Sequence, residues 1–306
     1  MQLTRLRTEM VVASAQLTAE LFPDQPFLGV EFGIAARICL PDWTHGGGLA
    51  RPAAPVRTIT VRQMALSLGR APETTRRHAN RLRERGAFTV SPAGVSLAAT
   101  PANAALAMRY YLGIHDRLLR LIEDMAATCD IDVTVGEPPA FGVADVIERA
   151  LDTLLLPIDT FLPAGKSTSL GLLLWGALSM VAVRNVTHDP VLARRYANDR
   201  PPDELRIGVS LRSLAAALSV PYATAWRQIR SMQAQGLVTR LGSDRWTVLT
   251  HNLLNDSVRG VSMPPTVHLL RKIRELALLG LDPTLAADHY QLGRPALANL
   301  GLPQNG

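Results

Sequence analysis

The chain has two cysteines, Cys39 and Cys129, far apart and in no CxxC or Cys/His spacing. That leaves no basis for a disulfide framework or a structural zinc, and it points to a reduced, cytosolic setting. Lysine is almost missing, at two residues against thirty arginines, as in a GC-rich coding sequence, and aromatics are only 5% of the chain. No apolar run reaches the roughly 20 residues that cross a bilayer. The longest, SLGLLLWGALSMVAV from Ser169 to Val183, reads as a buried core helix. The N-terminal MQLTRLRTEMVVASAQLTAELF scatters its charges through a helical pattern and lacks the apolar stretch of a signal peptide. The seven histidines form no HxxxH or HxH pair, so metal binding has no support. Catalytic signatures fail as well. The GKS of PAGKSTS at Pro163 lacks the first glycine of a phosphate loop, since Thr160 stands there, and HGGG at His45 has no GxSxG to serve. The expectation is a protein that is not an enzyme, without cofactor, metal or membrane.

What is present is arginine in clusters. The net charge is +6, yet residues 51–100 hold nine arginines and two acids, and residues 206–250 hold six arginines and one acid. The rest of the chain is therefore acidic. Codon bias explains arginine over lysine but not this clustering. Two basic islands on an acidic frame suggest two local surfaces for a polyanion.

The islands are copies of one another. Sliding the sequence by 150 residues lays TVRQMALSLGRAPETTRRHANRLRERGAFT, from Thr60, over SLRSLAAALSVPYATAWRQIRSMQAQGLVT, from Ser210, with seven of thirty positions identical and no gap. Downstream, LLRLIEDMA from Leu118 matches LLRKIRELA from Leu269 at an offset of 151, which places one inserted residue between, most simply in the loop LGSD. Upstream the matches are weaker: IAAR at Ile34 with VAVR at Val181, and Leu21 with Phe161. Two units are expected, residues 1–135 and 136–306, joined near DIDVTVGEPPAFG at Asp130 to Gly142, where a proline pair marks a linker.

Each unit reads mainly helical with one short hairpin. Thr60 and Gln63 have capping-box spacing for a helix over 61–68; a turn at Gly69, a second helix over 72–85 and a stop at Gly86 follow. AFTV, SPAG and VSLA then alternate as a hairpin. The second copy repeats this order through Ser210–Leu218, Tyr222–Gln235, Gly236, LVTR, LGSD and RWTVL. A long amphipathic helix over 104–126 follows the first copy, whereas Gly260, Pro264 and Pro265 are expected to break its counterpart.

Helix, tight turn, helix, stop glycine and hairpin is the order of a winged helix-turn-helix. ALSLGRAPETTRRHANRLRERGAF and ALSVPYATAWRQIRSMQAQGLV resemble the helix-turn-helix cores of the MarR and GntR groups of bacterial regulators. The flanking helices resemble MarR more closely, as though a dimer were fused into one chain. The resemblance implies a mainly α fold with short β-hairpins: two tandem winged helix-turn-helix units, with motifs at about 57–98 and 206–250, flanked by long helices and related by a pseudo-twofold. It also implies double-stranded DNA as partner, and leaves room for a small-molecule effector in an apolar pocket between the copies and for a homodimer. The chain departs from the pattern in its first wing, where SPAG carries no basic residue at its tip.

In such a motif the second helix enters the major groove. The DNA-facing candidates are Thr74, Arg76, Arg77 and Asn80 in the first copy, and Tyr222, Thr224, Trp226, Arg227 and Arg230 in the second, with Arg245 on the second wing. Arg77 and Arg227 lie nearly opposite the buried face. Arg62 and Arg212 stand in the first turn of the bracing helix, where the helix dipole disfavours a cation, so a nearby phosphate accounts for them better. For all of these the bland alternative is a solvated helix face. Trp226 is open three ways: contact with DNA, packing under the wing against Trp246, or a protein interface. The function expected is a cytosolic, sequence-specific transcriptional regulator reading two unlike half-sites. The alternatives are a plasmid-type replication initiator and a protein-interaction module or antiactivator on the same scaffold.

Overall fold

In the computed structural model the described residues are 1–23, 28–46, 48–53, 56–129, 132–137, 139–161, 168–255, 258 and 263–300. Gly165 to Ser167 of the phosphate-loop-like segment, Leu162 and Pro163 of the weak upstream match, Gly47 of HGGG, Gly260, and Asp130, Ile131 and Pro138 of the expected linker lie outside them. The protein is mainly helical with short antiparallel hairpins.

The helices before the midpoint are α1 (Gln2–Leu21), α2 (Leu28–Cys39), α3 (Val61–Ser67), α4 (Pro72–Glu84), α5 (Pro101–Thr128) and α6 (Val143–Phe161). After it come α7 (Ser169–Ala182), α8 (Arg184–His188), α9 (Pro190–Arg195), α10 (Leu211–Ala217), α11 (Tyr222–Ala234), α12 (Thr250–Leu253) and α13 (Met263–Leu278). The strands are β1 (Thr44–His45), β2 (Gly48–Leu49), β3 (Phe88–Ser91), β4 (Gly94–Leu97), β5 (Val209–Ser210), β6 (Thr239–Leu241) and β7 (Arg245–Thr247).

Local chemistry sets the repeated part. Thr60 caps α3 as its spacing to Gln63 requires, each residue's side chain accepting the other's backbone N–H at 3.1 Å, which satisfies donors that the first turn leaves unpaired. The turn into α4 needs a left-handed residue, supplied by Gly69 at φ +56°, and the turn into α11 uses Ser219 at φ +53° instead. Gly86 and Gly236 end the second helices at φ +72° and +70°. Pairing of Ser91 with Gly94 closes the first hairpin over two residues, whereas Leu241 pairs with Arg245 and leaves three. The inserted residue therefore lies in the second hairpin's turn. A preceding segment pairs with each hairpin: β5 forms a third strand beside β7, and Ile59 makes a single bridge to Val95. The buried stripes of the second helices are Thr75, Ala79 and Leu82 in α4, and Ala225, Ile229 and Met232 in α11.

The long helices cross between the two ends of the chain. α2 packs on α4 and β4, and α7 packs equivalently on α11 and β7. α2 also lies on α6, while α7 lies on α1. Ion pairs follow the same exchange: Arg37 of α2 meets Asp152 at 2.6 Å and Glu148 at 2.8 Å on α6, and Arg184 after α7 meets Glu9 of α1 at 3.8 Å. The larger core joins α1, α2, α5, α6 and α13 to the first hairpin motif, with Leu118, Ile122 and Met125 of α5 and Leu269, Ile273 and Leu276 of α13 all buried in it. The smaller core joins α7 and the second motif to Val12 and Ala13 of α1. The counterpart of α5 is interrupted as expected: α12 ends at Leu253 and α13 begins only at Met263, with Pro264 and Pro265 in its first turn, where a missing N–H costs nothing.

An extended segment over 290–300 ties the two ends together. Asp116 of α5, buried in the core, accepts the backbone N–H of Gln291 at 2.9 Å and of Leu292 at 2.7 Å. Glu9 accepts Ala298 N–H at 3.0 Å, and Gln16 holds Asn299 by both its amide oxygen and its amide nitrogen. Ala298 and Leu300 then bury in the smaller core.

Candidate nucleic-acid interface

The second helices of the two motifs are exposed in the same register. From Ala71 to Ala79 and from Pro221 to Ile229 the sequence of exposed, half-buried and buried positions is identical. Arg76, Arg77, Tyr222, Trp226, Arg227 and Arg230 are exposed, while Thr74, Asn80 and Thr224 are half-buried. Arg62 and Arg212 are exposed in the first turns of α3 and α10, and Arg245 is exposed on β7. Each motif thus leaves its candidate side chains exposed or half-buried.

The arginines differ in what holds them. Arg76 pairs with Glu73 one turn away at 2.7 Å, both well exposed, a pair too solvated to add much stability but able to orient the guanidinium. Arg227 reaches Thr224 Oγ1 at 3.4 Å, and Arg230 donates to Gln233 at 2.9 Å. Two members of the basic islands serve the scaffold instead. Arg70, in the turn before α4, binds the fully buried Glu31 of α2 and Ser169 of α7, while His78 of α4 meets Glu31 at 2.7 Å. Arg206 is buried, which lowers its pKa despite Asp203 at 3.0 Å, and it donates to the Val248 and Pro201 carbonyls. Both islands are smaller at the surface than in the sequence.

Trp226 both packs and shows. Its ring meets Trp246 edge to face at 6.2 Å, lies near-parallel to Tyr222 at 6.4 Å, and carries the Arg230 guanidinium at 5.7 Å, yet it stays 37% exposed. Trp246 is 1% exposed and sits under Arg240. Arg240, exposed on β6, joins the surface although sequence reasoning passed over it; its place in the second wing strand, LVTR, was the available signal. Glu31 gave no signal, because its burial depends on α2 crossing behind α4.

Between α1, α5 and the 290–300 segment, Leu6, Met10, Arg117 and Leu297 line a partly open space of about 20 Å³. A space that size admits one water, so an effector of the expected kind does not fit in it. No family model, no curated protein and no solved structure matches this chain.

Proposed function

We infer that the chain is a sequence-specific, double-stranded-DNA-binding transcriptional regulator, working in the cytoplasm, with two tandem winged helix-turn-helix units over 1–135 and 136–306. The observation that carries this is the matched presentation of α4 and α11: two helices with the same burial register, each offering exposed arginines away from its core, each braced by a first helix and followed by a hairpin. A helix so presented fits a major groove, where arginine reads guanine or holds phosphate. The exchanged packing, α2 on α6 and α7 on α1 with parallel ion pairs, supports a pseudo-twofold relation, so that one chain supplies what a dimer otherwise would.

The two helices do not carry the same residues. Glu73, Arg76 and Asn80 stand where the second copy has Ala223, Trp226 and Arg230, and only Thr74 with Thr224 and Arg77 with Arg227 are alike. The site therefore consists of two unlike half-sites. The test is retention of random genomic fragments at two salt concentrations, followed by sequencing. Fragments sharing a bipartite, non-palindromic element are expected, with Arg76→Ala relaxing preference in one half alone. Absence of any retained fragment at low salt overturns the function.

A further inference from the structure

The second motif contains a row of aromatic rings that the first is built without. Trp246 lies in the core of the hairpin, Trp226 meets it edge to face, and Tyr222 continues one turn further at the start of α11, its plane 18° from that of Trp226. The matching positions of the first motif are Val95, Arg76 and Pro72, Val95 following from its pairing with Ile59 as Trp246 pairs with Val209. The fold does not need the rings, since the first motif closes its core with Val95 fully buried. They instead carry apolar surface outward onto the exposed face of the helix, where Tyr222 is 50% and Trp226 37% exposed.

The orientation is fixed from beneath and from the side. Trp246 meets the Trp226 ring edge to face and Arg230 lies over it, contacts that hold the indole in this orientation. Arg230, Arg212, Arg227 and Arg245 of the same motif are all exposed, Arg230 over the ring itself, and Asp244 is the one acid in residues 206–250. A rigid apolar step inside a cationic surface fits a polyanion that itself displays apolar groups. In the major groove of DNA that group is the methyl on C5 of a pyrimidine.

We propose that Tyr222 and Trp226 form a recognition step for 5-methylpyrimidine in the half-site read by α11, with Arg227 supplying the polar contact beside it. This rests on the DNA-binding function inferred above and names the chemistry of one half of its target. Thymine and 5-methylcytosine share that methyl, and the experiment separates them.

The experiment uses the full chain and a fragment it retains. Thymidines in the α11 half are replaced one at a time by deoxyuridine, which removes the methyl and leaves the hydrogen-bonding edge unchanged; in a parallel arm, cytosines there are replaced by 5-methylcytosine. Burial of one methyl corresponds to about a four-fold change in affinity. A four-fold loss at one or two thymidine positions identifies thymine, and a comparable gain on cytosine methylation identifies 5-methylcytosine. Either effect is expected to vanish in Tyr222→Ala, which alters an outer residue, and in Trp226→Ala. Binding by the wild-type chain that responds to neither replacement overturns the proposal and leaves DNA binding standing. Retention of no DNA at all overturns both.

Discussion

Replacing Asp116 by Asn tests whether the 290–300 segment is held mainly by carboxylate capture of its backbone. Asp116 is 1% exposed, and its two oxygens accept Gln291 N–H, Leu292 N–H and, at 2.8 Å, the imidazole of His115. Hydrogen bonds to a charged group contribute about 1.5–3 kcal/mol each. Asparagine keeps the shape but turns one acceptor into a donor, so one of the two adjacent N–H groups faces an N–H. Gln291 and Leu292 are exposed residues, hence water re-solvates the released group and the lower end of the range applies. The expected destabilisation is about 2 kcal/mol, read as a lower urea midpoint with unchanged slope. Because the loss runs through the segment, it should disappear when the chain is truncated after His289, a non-additivity of the same size. Destabilisation that persists undiminished in the truncated chain, or a loss below about 0.5 kcal/mol in the full chain, refutes the reasoning.

Ser219 occupies the left-handed position that Gly69 fills in the first motif. Relief of about 1–2 kcal/mol of strain, offset by the greater chain entropy of glycine, makes Ser219→Gly stabilising by roughly 0.5–1 kcal/mol in thermal unfolding, and a destabilised variant contradicts this. Burial raises the Asp152 pKa, but Arg37 and Lys272 outweigh it and hold the carboxyl below its ordinary value of 3.8. The stability it contributes is present above that value and lost as pH falls through the lower folded-state value. Acid titration of Asp152→Asn should therefore show a shallower loss below about pH 4, and an unchanged curve removes the link. Arg62→Ala and Arg212→Ala should each lower the slope of log affinity against log salt by about 0.9, and unchanged slopes in both remove these residues from phosphate contact.

The repeated motif was legible because its signals are local: a capping box at Thr60 and Gln63, stop glycines at 86 and 236, and apolar residues at helical spacing. Even the insertion was readable, since an offset change from 150 to 151 had few places to fall. The same locality made the exposed arginines of α4 and α11 findable, because exposure follows from helical phase once one face is buried. What was hidden depends on crossings between distant helices. Nothing in the sequence near Arg70 or Arg206 says that Glu31 or the Val248 carbonyl will draw the guanidinium inward. Pro264 and Pro265 marked the interruption between α12 and α13 correctly, because a proline pair is tolerated where a helix begins and not within it. For Trp226, helical phase gave exposure and adjacency gave Trp246, but only the fold unites them in one residue.

Nuclease footprinting at a measured protein-to-DNA ratio shows whether one chain reads two unlike half-sites. A single chain per site is expected, protecting two segments centred about one helical turn apart whose sequences are not related by a dyad, with Arg77→Ala weakening protection over one segment and Arg227→Ala over the other. A palindromic site occupied by two chains, with both segments lost together in one of those variants and unaffected in the other, contradicts it.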